Sequence, residues 1–176
     1  MKTRVAIIGF GVAGANLAFS LRQKNIDFIV VNNDRPVTSS KVAAGLFNPI
    51  TGKRAVKTWM ADQLFPFADK FYSNIEQDLN IKIRHQKNAF RLFKNIGDQN
   101  DILSKALEPY FKQYINPDFD SEVHKEHING QVQGLEILKS GHVDLPKYLS
   151  NFIALLKKEG KYIDKTLINE DLTIQN

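Results

Sequence analysis

Three glycines near the start of the chain carry the strongest chemical signal. Gly9-Phe10-Gly11-Val12-Ala13-Gly14 has the spacing G-x-G-x-x-G. A glycine at the first position permits a tight turn out of a strand. At the second it lets a pyrophosphate approach the backbone, and at the third it lets a helix pack closely on the strand. The free N–H groups that open such a helix, with the positive end of its dipole, favour phosphate oxygens. The chemistry indicated is dinucleotide binding, with Gly9, Gly11, Val12, Ala13 and Gly14 as the cradle. The ribose of such a ligand is usually held by an acid about twenty residues further on. Eighteen residues past Gly14 stands Asn32, followed by Asn33, Asp34 and Arg35. An amide bonds a ribose hydroxyl less strongly than a carboxylate does. Asp34 substitutes if the loop turns back. Asn32 with Arg35 would instead suit a 2′-phosphate, as in NADP sites. A plain polar turn over residues 32–36 is the bland alternative.

The motif has meaning only if a strand precedes it and a helix follows. Residues 3–9 contain the apolar run Val5-Ala6-Ile7-Ile8 and are predicted to form a strand buried on both faces. Residues 11–24 carry Val12, Leu17, Ala18 and Leu21 on one helical stripe, with Asn25 as C-cap. Residues 27–31 read as a second buried strand, completing a βαβ unit with a right-handed crossover. Residues 32–52 read as a long loop, a length usually reserved for function. Further along, a helix is expected over residues 53–80, interrupted at Pro66. Strands at 81–85 and 89–94 are expected to pair like a hairpin. A helix is expected at 98–114 and strands at 132–138 and 142–144. An amphipathic helix at 145–159 is stopped by Gly160, and a last strand begins at Tyr162.

The 176 residues hold 24 Lys and Arg against 19 Asp and Glu, a net charge of +5 that permits an anionic ligand without demanding nucleic acid. With no cysteine, the chain has no disulfide, thiolate metal site or cysteine nucleophile. No apolar run reaches the length of a membrane span. Lys2 and Arg4 precede an apolar stretch like a secretory signal, but three glycines and Asn16 interrupt it, so the cytoplasm is the expected location. His124, Glu126 and His127, with Glu122, fit a solvated loop better than a metal site. Ser140, His142 and Asp144 alternate along the chain, a spacing that does not imply a triad. Asp118 and Asp120 fit a turn after Pro117. The aromatics Trp59, Phe65, Phe67, Phe71 and Tyr72 read as packing residues. Lys53, Arg54 and Lys57 form a basic cluster: a solvated helix start, or a group in which Lys53 or Arg54 faces a substrate carboxylate.

The glycine motif, the second strand and the string Ser39-Ser40-Lys41-Val42-Ala43-Ala44-Gly45-Leu46-Phe47-Asn48-Pro49 resemble the start of the FAD-dependent D-amino-acid oxidase and glycine oxidase superfamily. Residues 83–93, the turn Gly141-His142-Val143-Asp144-Leu145-Pro146 and the helix after it follow in the family's order. The resemblance implies an α/β fold: a Rossmann-like FAD/NAD(P)-binding domain with a parallel sheet, plus part of an α+β substrate lobe. The dinucleotide-binding part is expected over residues 1–80, the substrate-lobe insertion over 81–144, and a return to the first domain over 145–176. By resemblance Ser40 faces the diphosphate, and Ala44 and Gly45 stand for the family's small-residue and glycine pair. The implied cofactor is FAD, and the implied reaction is hydride transfer from a C–H next to nitrogen, in a small amine or amino acid, to flavin N5. The alternative is an NAD or NADP module of a dehydrogenase or regulatory protein. Family members are longer, so the chain is expected to be an N-terminal portion, inactive alone. A strand near 162–168 lacking one neighbour would then offer an edge for self-association. Neither a nucleic acid nor a membrane is an expected partner.

Overall fold

The computed structural model describes residues 5–130 and 133–171. In chain order its elements are β1 (Val5–Ile8), α1 (Val12–Gln23), β2 (Phe28–Asn32), α2 (Ser39–Val42), β3 (Leu46–Phe47), β4 (Ile50–Thr51), β5 (Val56–Lys57), α3 (Ala61–Leu79), β6 (Arg84–Gln86), β7 (Ala89–Leu92), α4 (Ile96–Ala106), β8 (Ile115–Asn116), β9 (Gly134–Ile137), β10 (Gly141–Val143), α5 (Leu145–Lys158) and β11 (Tyr162–Asp164). Short 3-10 helices occupy Ser121–His127 and Asn169–Asp171. The chain divides into two compact units. One comprises the described residues of Met1–Gly45, Ile75–Ile83 and Asp144–Asn176, the other Leu46–Asn74 and the described residues of Arg84–Val143.

The first unit is built on a parallel sheet of order β1-β2-β11. Val5 pairs with Phe28 and Ile8 with Val31 on one side of β2, and Tyr162 with Val30 on the other. The central strand is covered, with Phe28 and Val30 buried. The first strand differs from its expected two-sided burial. Ile7 is buried, whereas Ala6 and Ile8 are exposed, Ile8 by 61%. Successive side chains of a strand point to opposite faces, so one face of β1 packs inward and the other is uncovered. Helices α1 and α5 supply the covering layer. Phe152 lies at the centre, with ring centroids 5.6 Å from Phe10, 6.3 Å from Phe19 and 6.0 Å from Tyr148. Both helices end in the same way. Asn25 and Gly160 take positive φ, and the residues after them donate back to Leu21 and Leu156. This is the bond pattern that satisfies the last carbonyls of a helix.

The second unit holds three small antiparallel sheets, β3-β10-β6, β7-β9-β8 and β4-β5. Its core contains Ile50, Ala55, Ile102, Phe111, Tyr114, Leu135 and Ile137. Several local expectations change here. The strands at 84–86 and 89–92 do not pair with each other: β6 pairs with β10 and β7 with β9. Gly141 makes the first pairing possible, since a Cβ there would lie 2.3 Å from the His85 carbonyl oxygen. Residues 53–58 are a hairpin arm rather than a helix start. Gly52 and Ala55 take positive φ and turn the chain between β4 and β5. Pro66 lies inside α3 without ending it, because its missing N–H would have served only the Asp62 carbonyl in the first turns. Helix α4 stops at Ala106, ahead of Pro109, which disfavours helical geometry in the residue before it. Part of the strand expected at 132–138 lies outside the described residues.

A polar cluster ties this unit together. The Lys57 ammonium is largely buried and lies 4.0 Å from the Tyr110 ring centroid. It pairs with Asp62, which also accepts from Tyr114 Oη at 2.5 Å and Gln113 Nε2 at 2.8 Å. Burial, then the bond to Asp62, pushes the Tyr114 phenol up to about 12. The bonds from Lys57 and Tyr114 hold the Asp62 carboxyl below its usual range. A depressed folded-state pKa stabilises the fold above the unfolded value, and that contribution disappears as pH falls through the folded value. Thermal unfolding followed from neutral to acid pH is therefore expected to show a loss below the usual aspartate range that is smaller in Asp62→Asn. An identical acid profile in both proteins would show that the cluster contributes nothing.

Candidate nucleotide site

The glycine turn joins β1 to α1. Gly9 has φ +92°, in the region that favours glycine, and its N–H donates to the Val31 carbonyl at 2.9 Å, which keeps the turn against β2. A Cβ on Gly14 would lie 2.2 Å from the Gly9 carbonyl oxygen, so only a glycine lets the helix approach the turn this closely. A Cβ on Gly11 would meet nothing but the Ser40 side chain, with Oγ at 2.9 Å. The space in front of Gly11 is thus a cradle that a side chain would fill. Among the described residues no acceptor takes the N–H groups of Gly11, Ala13 or Gly14. The first intrahelical bond is Ala15 N–H to the Gly11 carbonyl. Free N–H groups at a helix start beside an open glycine fit a diphosphate.

Two distant segments come back to this turn. Ser40, on α2, accepts the Val12 N–H through its hydroxyl oxygen at 3.0 Å. Asn32, at the end of β2, accepts the Phe10 N–H through Oδ1 at 2.9 Å and donates from Nδ2 to Tyr162 Oη at 2.8 Å. Asn33 and Asp34 face elsewhere. Asn33 donates to Thr166 Oγ1, and Asp34 pairs with Lys41 at 2.7 Å and donates its N–H to Asp164. Lys41 also donates to the Arg35 carbonyl at 2.6 Å, closing the loop that delivers Ser40. Ala44 and Gly45 follow α2, Gly45 at φ +63°, and among the described residues neither is hydrogen-bonded to the glycine turn.

Sequence reasoning missed Tyr162 and Lys41. Tyr162 stands 130 positions from Asn32, and only its place on a final strand was legible. Its ring packs edge-on to Phe10, centroids 6.0 Å apart at 88°. The other polar groupings have structural partners. His142 stacks on His85 at 4.8 Å, Ser140 donates to the Ile137 carbonyl, and Asp144 caps α5 by accepting from the Lys147 N–H. His124 packs against Phe90 and Phe119, and no metal-holding group of three or more side chains occurs among the described residues. Lys53 and Arg54 contribute carbonyls, bonded by Arg91 and Lys105, and are themselves exposed. No described helix is long and apolar enough to cross a membrane.

No curated protein matches the sequence. Among solved structures, a glycine oxidase from Bacillus cereus superposes with a TM-score of 0.72 at 21% identity, covering 98% of this chain and 50% of that one. An L-amino acid deaminase from Proteus vulgaris gives 0.70 at 12% identity, with coverages of 92% and 39%. An L-proline dehydrogenase from P. horikoshii gives 0.63 at 14%, with coverages of 93% and 44%. These likenesses show the fold, and the chain spans about half the length of such structures or less. The sequence family described as FAD dependent oxidoreductase (DAO) matches residues 4–169. Nearly the whole chain, turn and return segments included, therefore belongs to the DAO family of FAD dependent oxidoreductases.

Proposed function

We propose that this chain is the nucleotide-binding half of a cytoplasmic FAD-dependent oxidoreductase whose substrate is a small amine or amino acid. The observation that carries the reading is the return of Ser40 to the helix start. Its oxygen accepts the Val12 N–H, so its own proton is free to meet a diphosphate oxygen beside the Gly11 cradle. A site for a nicotinamide dinucleotide needs no such loop, since the glycine turn alone serves its phosphates. The bound flavin would supply the hydride acceptor for a C–H next to nitrogen, and the protein's part is to bind and orient it. Gly11, Ala13 and Gly14 offer their N–H groups to the diphosphate, and Val12 holds Ser40 beside it as an added donor. Ala44 and Gly45 carry the chain onward at a φ that a glycine adopts freely. The solved structures named above include an oxidase of glycine and a deaminase of L-amino acids, which supports a substrate of that class. Strands β1 and β11 each pair only with β2 among the described residues, so either edge suits pairing with another strand, in this or a second copy.

The test is cofactor titration of the Ser40→Ala variant. Losing one hydroxyl donor is expected to cost roughly 0.5–1.5 kcal/mol, more toward a charged oxygen, and so to weaken FAD by at least about twofold to tenfold. NAD affinity unaffected by the same change, together with no measurable FAD binding by the parent, would favour the nicotinamide reading. Tighter binding of NADP than of FAD by the parent, lost in Asn32→Asp, would end the flavin reading.

A further inference from the structure

At the ribose end of the site the hydrogen bonds run in one direction only. The Phe10 N–H has a proton to give and nothing to accept with, so the Asn32 atom 2.9 Å from it is the oxygen. That fixes the amide and turns Nδ2 toward Tyr162 Oη, 2.8 Å away. Nδ2 can only donate, so the tyrosine oxygen accepts and its proton points away from Asn32. Among the described residues no acceptor takes that proton. The phenol keeps it: burial, with Asp34 and Asp164 nearby, holds Tyr162 above its ordinary range. The hydroxyl lies beside the glycine turn, at the C-terminal ends of β1 and β2, because Tyr162 is in register with Val30 and reaches up to Asn32. Contact with the Phe10 ring holds it there.

We propose that Tyr162 is the ribose-facing residue of this site, a proton donor in the place where an acid would accept, and that Asn32 is the positioning residue that aims it. The proposal rests on the FAD reading above. An acid at position 32 would accept from ribose hydroxyls. Here Asn32 gives Oδ1 and one Nδ2 hydrogen to protein partners, and the Tyr162 hydroxyl, beside the second Nδ2 hydrogen, offers a proton to an acceptor oxygen on the ligand. A ribose hydroxyl oxygen is such an acceptor, and so is a 2′-phosphate. The site therefore holds the ligand's ribose end by donation.

The experiment is a double-mutant cycle on the full chain, with FAD as the probe and flavin fluorescence as the readout. Tyr162→Phe keeps the ring against Phe10 and removes only the hydroxyl. It is expected to weaken FAD about threefold to tenfold in the parent. Asn32→Asp accepts from Phe10 and from Tyr162 alike, so it captures the tyrosine proton and itself faces the ribose. FAD affinity should then be equal or tighter, and Tyr162→Phe should change it less than about twofold in that background. The ultraviolet tyrosinate titration of Tyr162, taken as the difference between proteins with and without it, should move upward in Asn32→Asp, which reports that the carboxylate has taken the tyrosine proton, and FAD should shift that titration further only if the hydroxyl faces the ligand. An effect of Tyr162→Phe that is absent in the parent, or equal in both backgrounds, overturns the proposal. If Ser40→Ala weakens FAD in the same series, the flavin reading survives that failure. A folded parent that takes up no FAD overturns both.

Discussion

Gly11→Val is expected to abolish dinucleotide binding while leaving the first unit folded. The backbone at Gly11 has φ −78° and ψ −172°, which any residue adopts, so the substitution adds no conformational strain. The nearest atom to a new Cβ is Ser40 Oγ at 2.9 Å, the tip of a side chain that can rotate aside. The methyl groups then occupy the space that a diphosphate needs. Losing two charge-assisted bonds at about 1.5–3 kcal/mol each weakens binding by at least about a hundredfold. Gly14→Ala should behave differently. Its Cβ meets the Gly9 carbonyl oxygen at 2.2 Å, and that atom belongs to the backbone of the turn. The helix start must shift, at an overpacking cost of about 1–3 kcal/mol, so stability and binding fall together. FAD titration beside thermal melting separates the two variants. A folded Gly11→Val protein with parental FAD affinity would remove the cradle assignment.

Phe152→Ala is expected to produce the largest loss of stability in the first unit. The side chain is fully buried and touches the aromatic rings of Phe10, Phe19 and Tyr148. Truncating a buried phenylalanine typically costs about 3–5 kcal/mol. Whole domains are stable by only about 5–15 kcal/mol, so the variant should be close to unfolding. The loss reaches the site as well. Phe10 is the residue between the first two glycines of the turn, and Phe152 is its floor. Any folded Phe152→Ala protein should therefore bind FAD more weakly than the parent, whereas Phe152→Leu, which keeps most of the volume, should lose less of both. Hydrogen exchange of the α1 and β2 amides is the measurement of choice, because a chain with two units need not unfold in one step. Protection lowered by less than about 1 kcal/mol in Phe152→Ala would show that the core tolerates the cavity.

What the sequence determined by itself is what short-range rules control. The glycine spacing, the buried second strand and the amphipathic pattern of residues 145–159 placed β1, α1, β2 and α5 and marked the glycine turn between the first two. Helix ends were equally legible, because Asn25 and Gly160 end their helices through conformations set within a few residues. Strand pairing was not. Lys87 and Asn88 look like a hairpin turn, yet β6 and β7 pair with distant strands, 55–59 and 42–48 positions away, where Gly141 and Gly134 let the two pairs of backbones approach closely. The exposure of Ile8 depends on what covers β1, which no run of apolar residues reveals. Position 32 shows the same division. Asn32 was visible as a residue where an acid is usual, but its meaning depends on Phe10 and Tyr162. Only tertiary structure brings an N–H from one loop and a phenol from the last strand onto the two ends of one amide. Because an amide has a donor end and an acceptor end, those two contacts decide its orientation, and with it the direction in which the tyrosine proton points.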